Sequence, residues 1–132
     1  MHKISPIIRS RKIQGKGVGA KDVVPTINLE VPTNLELPHG VYAARVTLQY
    51  PEDRRISPAA VHFGPRPTVR DHAPSLEVHV LDTLELDADY NAEEIEVEIV
   101  QYIRDIKKFD TFAQLRDQIQ KDIVEIQEVL KY

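Results

Sequence analysis

The chain contains no cysteine, no tryptophan and a single methionine. Without thiols it has no disulfides, thiolate zinc sites, iron–sulfur clusters or cysteine nucleophile, so its stability has to come from packing. No run approaches the roughly 18 consecutive apolar residues of a membrane span, which argues for a protein with no membrane partner. The amino-terminal MHKISPIIRSRK lacks the continuous apolar stretch and small-residue cleavage site of a secretory signal, so a cytoplasmic location is expected. Breakers are missing from the second half, because all nine prolines and all five glycines precede residue 75. Charge of one sign is missing locally in two places. Arg9, Arg11, Lys12, Lys16 and Lys21 lie in residues 9–21 without an acid, and residues 82–98 hold eight acids without a base.

The 132 residues, 42% hydrophobic and 29% charged, suit one globular domain covering 1–132, expected to be a monomer. A net charge of −4 and the lack of tryptophan disfavour a nucleic-acid partner, which would draw on a basic surface and stacking aromatics. The basic segment fits either a small anionic ligand or an ordinary solvated face.

Val41–Tyr50, Ile56–Phe63, Leu76–Leu81 and Ile95–Ile103 have strand length and β-branched or aromatic content, with turn clusters such as PEDRR between them. In EEIEVEIV, Ile95, Val97 and Ile99 alternate with Glu94, Glu96 and Glu98, the pattern of a strand with one face on a core and one in water. The period then changes. Phe112, Leu115, Ile119, Ile123, Ile126 and Leu130 recur at three and four, predicting a helix over about 111–130 that starts with a Thr111/Gln114 capping box. Strands followed by one amphipathic helix predict a small, mainly β barrel or sandwich with the helix over an opening or a face.

Three segments could carry chemistry. Gly15, Lys16, Gly17 and Gly19, with Lys21 close behind, form a loop whose backbone N–H groups can approach phosphate oxygens, or else a hairpin turn. It matches neither the Walker A ending nor the dinucleotide-binding glycine pattern. In Pro25-Thr26-Ile27-Asn28, an extended backbone puts Thr26 and Asn28 on one side, oxygen ligands suited to Mg²⁺, or a polar strand edge. Glu77, in SLEVHVLD, is either a general base or the outward half of an alternating strand, and His79 shares its face. The spacing of His62, His72 and His79 matches no local metal-ligand motif.

In order along the chain stand the glycine-rich loop, PTIN at 25–28, HGVYAARV at 39–46, VHFGPRPTV at 61–69, LEVHVLD at 76–82 and YIRDIKKFDTFAQLRDQIQKDI at 102–123. This ordered set resembles the riboflavin kinase family, including the kinase domain at the carboxyl end of bacterial bifunctional FAD synthetases. The resemblance implies a six-stranded antiparallel Greek-key barrel with a carboxyl-terminal helix. It also implies transfer of the ATP γ-phosphate to the riboflavin 5′-hydroxyl to give FMN, by a kinase domain without the adenylyltransferase half. By resemblance, Thr26 and Asn28 lie at Mg²⁺ and the ATP phosphates, the 15–19 loop closes over the phosphates, Glu77 is the base, and Arg104 contacts the flavin. The family's G-R-x-L-G-F before the tetrad reads here Gly19-Ala20-Lys21-Asp22-Val23-Val24, so an arginine and a glycine are replaced. That departure leaves one alternative, a non-catalytic flavin- or nucleotide-binding regulatory domain.

Overall fold

A computed structural model of the chain describes residues 6–13, 25–33, 35–49, 54–65, 73–81 and 94–131. The strands are β1 (Ile7–Ser10), β2 (Lys12–Ile13), β3 (Thr26–Leu29), β4 (Gly40–Gln49), β5 (Arg54–Gly64), β6 (Ser75–Val80) and β7 (Ile95–Arg104), and one helix, α1 (Phe112–Leu130), follows them. They form a single antiparallel sheet in the order β1-β7-β4-β5-β6-β3-β2. β4, β5 and β6 are sequential neighbours and β7 returns beside β4, which is the Greek-key arrangement.

Seven strand segments stand where six strands were expected, and the difference lies at the start. β1 and β2 occupy opposite edges of the sheet yet are separated in sequence by Arg11 alone. They are the two halves of one bent strand, the first paired with β7 and the second with β3, and this bend curls the sheet into a barrel. The Ser10 hydroxyl donates to the Glu30 carbonyl, and the Glu30 N–H donates to the Arg11 carbonyl at 2.8 Å, so the corner is tied to the end of β3.

Inside the barrel, alternate residues of every long strand meet: Ile27 and Leu29, Leu76 and Val78, Ile95 and Val97 are all fully or nearly fully buried. Each such side chain contributes about 1.5–3 kcal/mol relative to an exposed one. Val31, Leu35 and Leu37, from the segment before β4, pack against this core.

The helix lies on the outside. Its Ile126 and Leu130 pack on Val41, Ala43 and Ala60, with Val100, Ile103 and Val129 alongside, so α1 covers a face of the barrel. The alanines let the helix come close to the sheet. Two register shifts in the β4–β7 pairing leave Val100 and Ile103 as extra residues on β7, and both turn toward the helix, where strict alternation allows only every second residue. Thr111 caps α1 by accepting from the Gln114 N–H at 3.1 Å. Gln114 Oε1 reaches back to the Asp110 N–H at 3.0 Å, one residue beyond the cap itself. Phe112 of the expected apolar stripe is exposed, while Asp122, outside that expected set but between Ile119 and Ile126, is buried.

Candidate active site

Directly paired residues of neighbouring strands share a face of the sheet, with Cβ atoms about 4.5–5.5 Å apart. On β3, β6 and β5 the core takes Ile27, Leu29, Leu76, Val78 and Val61. The outer face therefore receives the intervening polar residues. Thr26 stands opposite His79, Asn28 opposite Glu77, and Glu77 in turn opposite His62. The row continues from His62 to Val41 on β4 and from Val41 to Arg104 on β7. Thr26, Asn28 and Glu77, expected from the sequence to act together, are thus immediate neighbours, all half-buried.

Around Glu77 the structure adds two groups. His62 is its partner on β5, with its Nδ1 atom buried. Ser75, two residues earlier on the same face of β6, places its hydroxyl 3.4 Å from Glu77 Oε2 and 3.4 Å from the carbonyl oxygen of Gly64. Burial pulls the His79 imidazole down to about 4, against the opposing pull of the Glu77 carboxylate, so His79 is neutral near pH 7. Asp122 also raises it, while His62 and Arg104 act with burial to lower it. Among the described residues no group of histidines and carboxylates is arranged to hold a metal. His72 lies outside them, as do Gly15, Lys16, Gly17, Gly19 and Lys21 of the glycine-rich loop.

Arg104 ends the row and joins it to the helix. Its Nε and Nη2 donate to the two Asp122 oxygens at 2.9 and 2.8 Å, and its Nη1 donates to the Asp105 carbonyl at 3.0 Å. Gln118 donates to Asp122 Oδ1 at 2.9 Å, adding a third donor to the buried carboxylate. Among the described residues, the Arg104 bonds use three of the five guanidinium N–H groups.

The segment from Asp105 to Asp110 is strapped across this end of the barrel. Tyr102 donates its hydroxyl to Asp105, a bond that pushes the phenol upward, and Lys107 reaches Gln118 at 3.4 Å. Ile106 lies on Gly64, whose φ is +145° and whose hypothetical Cβ would collide with Ile106 Cδ1. Only glycine fits that position, for conformation and for space alike.

A protein-family model described as riboflavin kinase matches residues 4–130. The chain belongs to the riboflavin kinase family. It is 33% identical over 116 residues to the bifunctional riboflavin kinase/FMN adenylyltransferase of Haemophilus influenzae, covering 88% of this chain and 36% of that protein. To the RNA-binding riboflavin kinase RibR of Bacillus subtilis it is 30% identical over 118 residues, covering 89% of this chain and 48% of that protein. The chain thus spans between about a third and a half of the length of these two relatives. To the Homo sapiens riboflavin kinase it is 28% identical over 136 residues, covering 99% of this chain and 84% of that protein. Among solved structures, a crystal structure described as a macrolide-efflux protein from Streptococcus pneumoniae shares the fold. Its TM-score is 0.72 at 26% identity, over 93% of this chain and 38% of that one. Among the described residues, no helix is long and apolar enough to cross a membrane.

His62, Ser75 and Asp122 were not singled out as site residues from the sequence. Asp122 carries a legible signal, a lone charge on the stripe formed by Ile119, Ile126 and Leu130. The neighbourhood of His62 and Glu77 depends on strand register, which no local spacing encodes.

Proposed function

We propose that this protein is a riboflavin kinase in activity, transferring the γ-phosphoryl group of ATP to the 5′-hydroxyl of riboflavin to form FMN and ADP. The observation that carries this reading is the cross-strand pairing of Asn28 with Glu77, with Thr26 one step along the same face. It sets a carboxylate able to accept a proton beside two oxygen ligands of the kind a phosphate-bound metal takes. Thr26 and Asn28 fit Mg²⁺ by the hardness of their donors and would hold it with phosphate oxygens and water completing the shell. When bound, the ion neutralises phosphate charge.

The protein's own part is positioning and proton transfer. Glu77 accepts the proton of the 5′-hydroxyl as the new O–P bond forms. The bond between the γ-phosphorus and its bridging oxygen breaks, with its electron pair leaving on ADP. The Gly15–Lys21 segment supplies donors to the phosphates, and Arg104 contacts the flavin. Incubation with riboflavin, ATP and Mg²⁺, followed by chromatography, should give FMN. Flavin binding without FMN formation from any common nucleoside triphosphate would replace this reading with the non-catalytic binding domain, which the substitutions at Ala20 and Val23 favour.

A further inference from the structure

We infer that Ser75 is a positioning residue for the reaction, a single hydroxyl that serves two acceptors and orients the Glu77 carboxylate. The inference rests on Glu77 being the base. Ser75 stands directly opposite Gly64 in the β5–β6 ladder and two residues before Glu77, so its side chain points to the same outer face as the carboxylate. Its Oγ lies 3.4 Å from Glu77 Oε2 and 3.4 Å from the Gly64 carbonyl oxygen. A serine hydroxyl has one proton and can donate to only one of them at a time. Both separations exceed the optimum of about 2.7–2.8 Å, which leaves the hydroxyl free to turn between them.

Charge decides the direction. A hydrogen bond to an ionised carboxylate is roughly twice as strong as one to a neutral carbonyl, so with Glu77 ionised the Ser75 proton lies on Oε2. Donation there ties one carboxylate oxygen and fixes the orientation of the Glu77 side chain. Once the carboxylate has taken the alcohol proton its charge is gone, the preference for Glu77 disappears, and the hydroxyl can donate to Gly64 instead. No bond of Ser75 breaks. When Glu77 releases its proton to water, the hydroxyl turns back. The second acceptor is itself held in place, because Gly64 has a backbone conformation reserved for glycine and is covered by Ile106.

The test is a set of variants assayed for FMN formation by the whole chain. Ser75→Ala should lower kcat about 10- to 150-fold, the scale of one hydrogen bond to a charged group, with KM for riboflavin and ATP unchanged. Ser75→Thr and Ser75→Val have the same shape and differ in the hydroxyl, so the first should stay within about twofold of wild type and the second should match Ser75→Ala. In a Glu77→Gln background Ser75→Ala should have no further effect, since the group it orients is no longer a base. An equal fold loss in both backgrounds, or equal rates for the Thr and Val variants, would overturn the inference in favour of a structural serine. A wild-type rate in Glu77→Gln alone removes the base assignment together with this inference. A crippled Glu77→Gln beside a wild-type Ser75→Ala overturns the role of Ser75 alone.

Discussion

At the scale of single residues, the outer face of β3, β5 and β6 combines a carboxylate, a hydroxyl, an amide and two histidines in one half-buried patch. Replacing Glu77 with Gln keeps its size and removes its basicity. FMN formation should fall by about 10²- to 10⁴-fold in kcat with little change in flavin affinity, and a wild-type rate would make Glu77 an ordinary outward strand residue. His79 predicts a pH effect on stability. Its value of about 4 in the folded protein lies below the ordinary 6.5, so between those limits the unfolded chain binds more protons than the folded one. The stability contributed by a neutral His79 is complete above about 6.5 and is lost as the pH falls toward 4. Glu77 and Asp122 favour the charged form and His62 and Arg104 disfavour it, but burial outweighs them. Urea unfolding at pH 7, 5.5 and 4.5 should therefore show a slope that His79→Gln reduces, and an unchanged slope would assign the acid sensitivity to other groups.

The alternation that placed Thr26 and Asn28 together, and Glu77 with His79, was legible because a strand's period of two is local. The pairing of Glu77 with His62 was not, because it joins residues 15 apart through a register set by the whole sheet. The same distinction holds among the elements. The stripe at three and four gave the helix within a residue or two, and EEIEVEIV marked β7. The bulges at Val100 and Ile103 break the alternation where the helix packs on the sheet, which nothing within β7 announces. Arg104 was expected from the resemblance as a flavin contact, but its pairing with Asp122 also bolts the helix to the barrel. Side-chain exposures of 16% and 6% make this a buried pair, for which the loss of one partner costs far more than the loss of both. Asp122→Ala should destabilise the fold by roughly 3–5 kcal/mol in denaturant unfolding. The double replacement Arg104→Met with Asp122→Leu should recover most of that loss. A small loss in the single variant would show that Arg104 finds other partners and that the helix is held by Ile126 and Leu130 alone.

Over the whole molecule, the bend at Arg11 closes the barrel and also connects the candidate site to the glycine-rich segment. The described residues that flank it in sequence are Ile13, which stands opposite Asn28, and Pro25, just before Thr26, both beside the proposed metal ligands. Arg104 and the strap over Gly64 belong instead to the β7–helix end of the row. Nucleotide and flavin binding should consequently respond to different substitutions. Ala20 and Val23 stand where the family's motif has an arginine and a glycine, removing a charged donor and backbone freedom from the phosphate side. Ala20→Arg with Val23→Gly should lower KM for ATP while leaving KM for riboflavin unchanged, and Ile27→Ala should not reproduce the effect, because Ile27 points into the core. Steady-state kinetics with each substrate varied in turn separates the two constants. Thermal unfolding of the same variant controls for the roughly 0.5–1 kcal/mol that a glycine costs in ordinary strand. If KM for ATP stays level or rises in the folded double variant, the Gly19–Val24 sequence has its own working geometry and the departure from the family motif is not a defect.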